Sequence, residues 1–482
     1  MAAPTPSPSV PDPDANLKWH EGLSRYQWFV LIVATLAWLF DTMDQQFFNL
    51  ARKPAMIDLL NIKPTDPLVD QYAGYSTSIF LTGWAIGGIL FGVLGDKIGR
   101  ARTLTLTVFT YSLCTGLSAF SFGFWDFAFY RFITGLGVGG AFAAGVTLVA
   151  EVMPDRSRTK ALGTFQAFSA VGNMVAAFTT IGLGTLGLFS LLQGGVPWRI
   201  MFLVGALPAL LAVFIMRRLE EPERWREMAK ARAEGRMAGD PQARAGSIAD
   251  LFRIPRWRHN TLVGLALAFA GVVAVWGIGF FSFDLARNVY RPQLLEYAAS
   301  IGLEDKDQAK YVNDWLTIYT GGISAMQNLG AFFGIYSFAV VTTRLGRRAT
   351  FALFFVLAIL STLMVFAFLG EVWHIFTLIP LMGFCQLALF GGYAIYFPEL
   401  FPTRLRSTGV SFCYNVGRLV AAIAPFMLGV LSNQVYGWAG PNALRYSGMT
   451  MCAFLLIGLA VLPFAPETQG QPLPEEDVNP IS

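Results

Sequence analysis

Charge is scarce in this chain. Aspartate, glutamate, lysine and arginine make up 14% of its 482 residues, against roughly 25% in soluble proteins. A water-soluble domain with so few charges could not cover its surface. Histidine and cysteine are scarcer still. His20, His259 and His374 lie near the ends of apolar segments and form no cluster. Cys114, Cys385, Cys413 and Cys452 sit inside apolar runs, with no C-x-x-C pair. They read as packing residues, with neither a disulfide framework nor a metal centre. No G-x-x-x-x-G-K-[ST] occurs, which argues against a nucleotide-driven pump. No nucleophile–base constellation marks an enzyme, and nothing calls for a cofactor or points to nucleic acid.

What the chain has is apolar length. It is 54% hydrophobic and contains 42 phenylalanines. A helix needs roughly 20 mostly apolar residues to cross about 30 Å of hydrocarbon. Twelve segments qualify: 27–49, 73–95, 103–123, 125–150, 161–188, 198–217, 260–284, 316–341, 349–369, 374–397, 407–434 and 446–465. The expected fold class is therefore an all-α membrane protein, because unbroken helices are the open-ended way to satisfy backbone in lipid.

Lysine and arginine orient the spans. With the N-terminus on the inside, 24 of them fall in inside segments and nine in outside loops. The positive-inside rule then puts both termini in the cytoplasm, as in a multi-pass plasma-membrane protein. The chain divides into a disordered tail (1–25, five prolines between Pro4 and Pro13), a six-helix bundle (26–217), a charged cytoplasmic loop (218–258, helical over Glu220 to Arg236), a second six-helix bundle (259–465) and a short tail (466–482). The outer loop at roughly 285–315 reads as a solvated, partly helical cap.

The two bundles repeat. Glu151-x-x-Pro154-x-Arg156-x-Arg158 returns as Glu399-x-x-Pro402-x-Arg404-x-Arg406. Asp96-Lys97-Ile-Gly99-Arg100 returns as Thr343-Arg344-Leu-Gly346-Arg347, and Val171-Gly172-Asn173 as Val416-Gly417-Arg418. Basic loops follow spans in many membrane proteins, but that does not account for the shared Glu, Pro and Gly at nearly one offset. Parallel repeats place a binding site at their interface near the midplane, reached by alternating access.

These motifs resemble the major facilitator superfamily over essentially the whole chain. Gly92-Val-Leu-Gly95-Asp96-Lys97-Ile-Gly99-Arg100-Ala-Arg102 resembles its loop 2–3 signature, and Arg131-Phe-Ile-Thr-Gly135-Leu-Gly137-Val-Gly139-Gly140 its span 4 signature. Val196-Pro-Trp198-Arg199 with Glu220-Glu-Pro222-Glu-Arg224-Trp225 is similar to the end of the first half in sugar porters and organic-acid symporters. Asp41-Thr-Met-Asp44 resembles the D-G-x-D of aromatic-acid:proton symporters, with Thr42 in place of glycine. Gly417-Arg418-Leu-Val-Ala-Ala-Ile-Ala-Pro425 resembles span 11 of the same relatives. The resemblance implies two pseudo-symmetric six-helix bundles and a monomer that moves a small molecule. The gate would be built from Asp96, Lys97, Gly99, Arg100, Arg102, Glu151, Arg156, Arg158, Arg344, Arg347, Glu399, Arg404 and Arg406. A static salt bridge at the inner surface is the alternative for these residues. The paired glutamines of sugar porters are absent from Asn260–Asp284.

Four ionisable residues fall inside spans: Asp41, Asp44, Arg131 and Arg418. Charge there is costly and marks function by default. At about 1.5 Å per residue, Asp41 and Arg131 lie at matching depths, and Asp41 and Asp44 share a helix face. Arg131 is expected to pair with one or both acids, protonation loosening the pair; a permanent ion pair is the alternative. No second-half acid lies at the depth of Arg418, near the midplane. It is expected to hold a carboxylate, or else to pair with a first-half acid or a carbonyl. Asn173, Gln327, Asn328 and Gln386 are candidates for orienting the solute, and Trp38, Trp276 and Tyr393 for walling it. The expectation is a proton-coupled symporter of an organic anion, with a neutral-solute facilitator and a non-transporting sensor as rivals.

Overall fold

The computed structural model describes residues 18–63, 66–185, 196–234, 245–279, 281–421 and 423–474. Every regular element among them is helical. The first half comprises α1 (Arg25–Leu60), α2 (Pro67–Ile98), α3 (Arg100–Ser118), α4 (Phe124–Val152), α5 (Asp155–Thr185) and α6 (Val196–Met216). Two short helices follow, α7 (Glu223–Ala233) and α8 (Ile248–Arg253). The second half comprises α9 (Pro255–Val272), α10 (Phe281–Ser300), α11 (Asp305–Leu345), α12 (Arg347–Phe368), α13 (His374–Leu400), α14 (Arg406–Ala421), α15 (Ile423–Val430), α16 (Ala443–Met451) and α17 (Ala453–Val461). Among the described residues, nine helices are long and apolar enough to cross a membrane. Large apolar side chains such as Ile86, Phe333 and Phe376 lie exposed on their outer faces, as a lipid-facing surface requires.

Local chemistry sets several ends. Ser24 and Gln27 form a reciprocal cap at the start of α1, satisfying amides that would otherwise lack partners. The corners α2–α3 and α11–α12 each turn on one glycine at positive φ, Gly99 (113°) and Gly346 (86°), a backbone region that L side chains avoid. Each corner is closed by a carboxylate from far along the chain. Glu221 accepts from the amides of Ala101 and Arg102 at 3.2 and 2.9 Å. Glu467 accepts from those of Arg347 and Arg348 at 2.9 and 3.1 Å. Anions suit such helix starts, and the backbone amides of Arg347, Arg348, Gln469 and Thr468 hold the half-buried Glu467 carboxyl below its usual range although burial alone would raise it.

Several boundaries differ from the sequence reading. α1 runs well past residue 49, to Leu60. The expected outer cap is a helical hairpin, in which α10 and α11 meet across a short turn at Ile301 to Glu304. Both helices extend beyond the apolar stretch, so the charged segment is helical on either side of the turn. Spans 7 and 11 contain π-helical turns, at Val273–Gly279 and Leu431–Val435. Such turns inside longer helices often mark functional sites.

The halves pack alike. α2 lies along α4 as α11 lies along α13. Across the interface α2 meets α14, and α5 meets α11, the equivalent pair under the repeat. Small residues permit the close approach. A Cβ added to Gly87 would lie 2.1 Å from the carbonyl oxygen of Leu136, and one on Gly334 would lie 2.0 Å from that of Phe384. Small-residue contact is a general device of membrane helices. Gly139→Val, whose Cβ would meet the carbonyl oxygen of Trp84 at 2.1 Å, is expected to cost about 1–3 kcal/mol. Thermal unfolding followed by size-exclusion should show a clear drop, whereas Gly74→Ala, with nothing within 4 Å, should melt like the parent.

Candidate functional site

Between the halves lies a cavity lined on one side by Trp38, Thr42, Gln45, Gln46 and Asn49 of α1 and Gln166, Ser169 and Asn173 of α5. The other side is Ser324, Gln327 and Asn328 of α11, Leu387 and Phe390 of α13, and Tyr414 and Arg418 of α14. Asn173 donates to Asn328 at 3.0 Å, joining the halves at the cavity wall. The repeat partners Asn173 and Arg418 both face this space. Arg418 rests over the rings of Trp84 and Tyr414, 4.1 and 4.3 Å away, and donates to the Tyr414 hydroxyl at 2.8 Å. Aromatic faces of this kind hold a guanidinium in place without neutralising it.

Of the two acids expected near Arg131, one acts on it. Asp44 is the acid that acts on Arg131, and no contact ion pair joins them among the described residues. Arg131 is held instead by the Ser118 hydroxyl (2.7 and 3.0 Å) and the Cys114 carbonyl (3.3 Å), with Phe202 4.6 Å beneath it. Asp41, also fully buried, accepts from Gln45 at 3.1 Å, and the cation acting on it is Arg418 of the other half. A spacing of three places both acids on one side of α1 without giving them one partner. The cation acting on Asp41 lies across the interface, and the one acting on Asp44 lies within the first half.

Two other candidates stand apart. Gln386 donates to Thr362 at 2.6 Å and lies behind Gln327, outside the cavity lining. Tyr393 donates to the Leu267 carbonyl at 2.6 Å and stacks on Phe397, as a core residue. The side chain of Trp276 lies outside the described residues.

One end of the bundle is tied shut. Asp96 accepts from the backbone amides of Ser407 and Thr408 at 3.1 and 2.9 Å and from the Thr408 hydroxyl at 2.6 Å. A first-half carboxylate thus caps the start of α14 in the second half, where the helix dipole favours negative charge. Arg100 lies 3.1 Å from Asp96 and 3.1 Å from Glu151, and also donates to the Thr403 carbonyl. Glu151 in turn holds Arg406 at 2.6 Å. Above this seam Phe142 stacks on Tyr414 at 4.1 Å, closing the cavity floor between the halves. The first and last described segments meet this same end: Arg156 donates to the Glu21 carbonyl, and Arg406 to that of Pro474.

The repeat is geometric here. Arg100 and Arg347 each grip the glutamate about fifty residues on, Glu151 and Glu399, and each donates to the carbonyl five residues before itself. Arg158 and Arg406 each reach back eight residues to a carbonyl, of Ala150 and of Pro398. It breaks at Thr343, exposed and bonded to its own helix, where Asp96 reaches across. Arg347 instead crosses to Thr159 at 3.0 Å. Arg404 ties Asp250 of α8 at 2.7 Å. Lys97, Arg102 and Arg344 are exposed. Sequence reasoning passed over Thr403, Ser407, Thr408, Ser411 and Asn415. Ser407, Ser411 and Asn415 recur every fourth residue opposite Gly95, Gly92 and Gly88, a pattern visible only once α2 and α14 are known to touch.

The sequence model of the family described as sugar (and other) transporter matches residues 26–245 and 263–468. The chain belongs to this family. A cis,cis-muconate transport protein of Acinetobacter baylyi is 29% identical, with 93% of this chain and 97% of that one covered. A probable 4-methylmuconolactone transporter of Cupriavidus pinatubonensis is 28% identical, with 94% and 93% covered. The structure of a proton:xylose symporter of the major facilitator superfamily superposes with a TM-score of 0.64 at 20% identity, over 93% of this chain and 98% of that one. The protein is thus a multi-pass major facilitator transporter of two six-helix bundles, and not an enzyme.

In this transporter the seam around Asp96 holds the halves together. Asp96→Asn removes the charge that meets the start of α14, and hydrogen bonds to charged groups are worth about 1.5–3 kcal/mol. Spin labels at the ends of α2 and α14 should report a larger population of separated halves at this end. An unchanged distance distribution would contradict that role.

Proposed function

We propose that the protein is a proton-coupled symporter of a small organic anion, acting as a monomer in the plasma membrane with both termini cytoplasmic. The observation that carries this reading is the position of Arg418: it faces the cavity at the interface of the halves, and Asp41 is the acid that acts on it. An arginine fork suits a carboxylate. Relatives named for muconate and methylmuconolactone transport support an organic acid.

The mechanism follows from competition for one cation. A carboxylate entering from outside binds the Arg418 fork, with Asn173, Gln327 and Asn328 orienting its remaining polar atoms. Arg418 can no longer compensate Asp41, which takes a proton in its place, since an isolated buried carboxylate is far too costly. Anion and proton are then both bound and the cavity is neutralised. The seam of Asp96, Arg100, Glu151 and Arg406 opens, the halves rock, and the load is released inside. Asp44, with Arg131 as the cation acting on it, stands as a second proton station.

One observation favours a neutral, hydroxylated solute instead. Seven amide side chains, Gln45, Gln46, Asn49, Gln166, Asn173, Gln327 and Asn328, line the same cavity, and amides suit hydroxyl groups.

Variants separate the two. Arg418→Gln should lower carboxylate uptake into proteoliposomes by roughly 30- to 1000-fold, the cost of removing one partner of a buried charge pair. Arg418→Lys should recover part of it, lacking the fork. Asp41→Asn should retain carboxylate exchange while losing proton-driven accumulation. Accumulation that still responds to a pH gradient in that variant would remove Asp41 from the proton path.

A further inference from the structure

A second cavity, of about 730 Å³, opens at the end of the bundle away from the Asp96 seam. Its wall is one face of α10, carrying Asp284, Arg287, Asn288 and Arg291, opposite Leu316 of α11 and Pro441. Phe283, the preceding residue of the same helix, lines the central cavity, so the two spaces follow one another along α10. The charges here are unequal. Asp284 is met by Arg287 at 3.7 Å and acted on by Lys53 of α1. Arg291 follows Arg287 by one helical turn, on the same face, and has no ion pair among the described residues. The charged residues that line this mouth are two cations, Arg287 and Arg291, and one anion, Asp284.

We propose that this outer cavity is an anion-gathering vestibule. Arg287 and Arg291, with the Asn288 amide between them, hold the carboxylate of an incoming substrate loosely before it passes Phe283 to Arg418. The proposal rests on the reading of an anionic substrate given above. A half-exposed cation in a walled opening raises the local concentration of anions without binding them tightly. That is what an access site needs, since tight binding there would slow delivery.

The local potential can be read without transport. In Asn288→Cys, purified in the full chain, the thiol is exposed while all four native cysteines are buried. Its rate of modification by the anionic sulfonatoethyl methanethiosulfonate is compared with that by the cationic trimethylammonium-ethyl reagent. The anionic-to-cationic ratio should fall roughly tenfold when Arg287→Gln and Arg291→Gln are added, and should recover in the double lysine variant. Raising salt to 1 M should flatten the difference. A ratio indifferent to both arginines would overturn the proposal. In the second arm, carboxylate uptake at low substrate concentration and low salt should fall about three- to tenfold in the double glutamine variant, converging with the parent at high salt. A changed reagent ratio with unchanged uptake would also overturn the vestibule. If no carboxylate is taken up by the parent, the anion reading fails instead, while the reagent arm still reports on the cavity.

Discussion

A charge removed from water has to be compensated where it stands, and inside a bilayer few groups are available to do it. That constraint organises the transporter. Asp44 and Arg131 act on each other inside the first half, without crossing the interface. Asp41 and Arg418 belong to different halves, so theirs depends on the interface. Asp96 is compensated partly by its own Arg100 and partly by the start of a helix in the other half. The two arrangements that cross the interface are those a relative movement of the halves would disturb. They sit at two levels, the cavity and the seam that closes it.

The repeat shows how the two halves have diverged. Corresponding helices pack alike, corners turn on matching glycines, and matching arginines grip matching glutamates. The copies differ where the chemistry lies: Asp96 against Thr343, Asn173 against Arg418, and the pair Asp41 and Asp44 in the first half. The polar seam and the cavity chemistry both rest on those differences. A fully symmetric chain would hold its gates equally from both sides and would offer no division between an anion-binding half and a half bearing acids.

Much of the fold was legible because hydrophobic length, basic loops and motif spacing are local properties. Twelve segments and the two-fold repeat follow from them directly. What could not be read locally were pairings decided by helix rotation. Asp41 and Asp44 share a side of α1, yet about 60° of rotation between them is enough to give them different cations, Arg418 across the interface and Arg131 within the first half. Gln386 and Tyr393 lie on a helix that contributes Leu387 and Phe390 to the cavity, but face the other way. The partly helical cap expected at 285–315 is a hairpin of α10 and α11, whose helicity comes from two long helices running beyond the apolar stretch. Ser407 and Thr408 gave no signal at all, since their role lies in backbone amides at a helix start.

The most direct test of the account is lumenal pH during uptake, read with a pH-sensitive dye trapped in proteoliposomes given carboxylates or sugars. The account predicts that a carboxylate, and no neutral sugar, acidifies the lumen, and that Arg418→Gln and Asp41→Asn each abolish the signal. Uptake of a neutral solute without proton movement would contradict it, leaving the fold intact and returning Arg418 and both aspartates to structural roles.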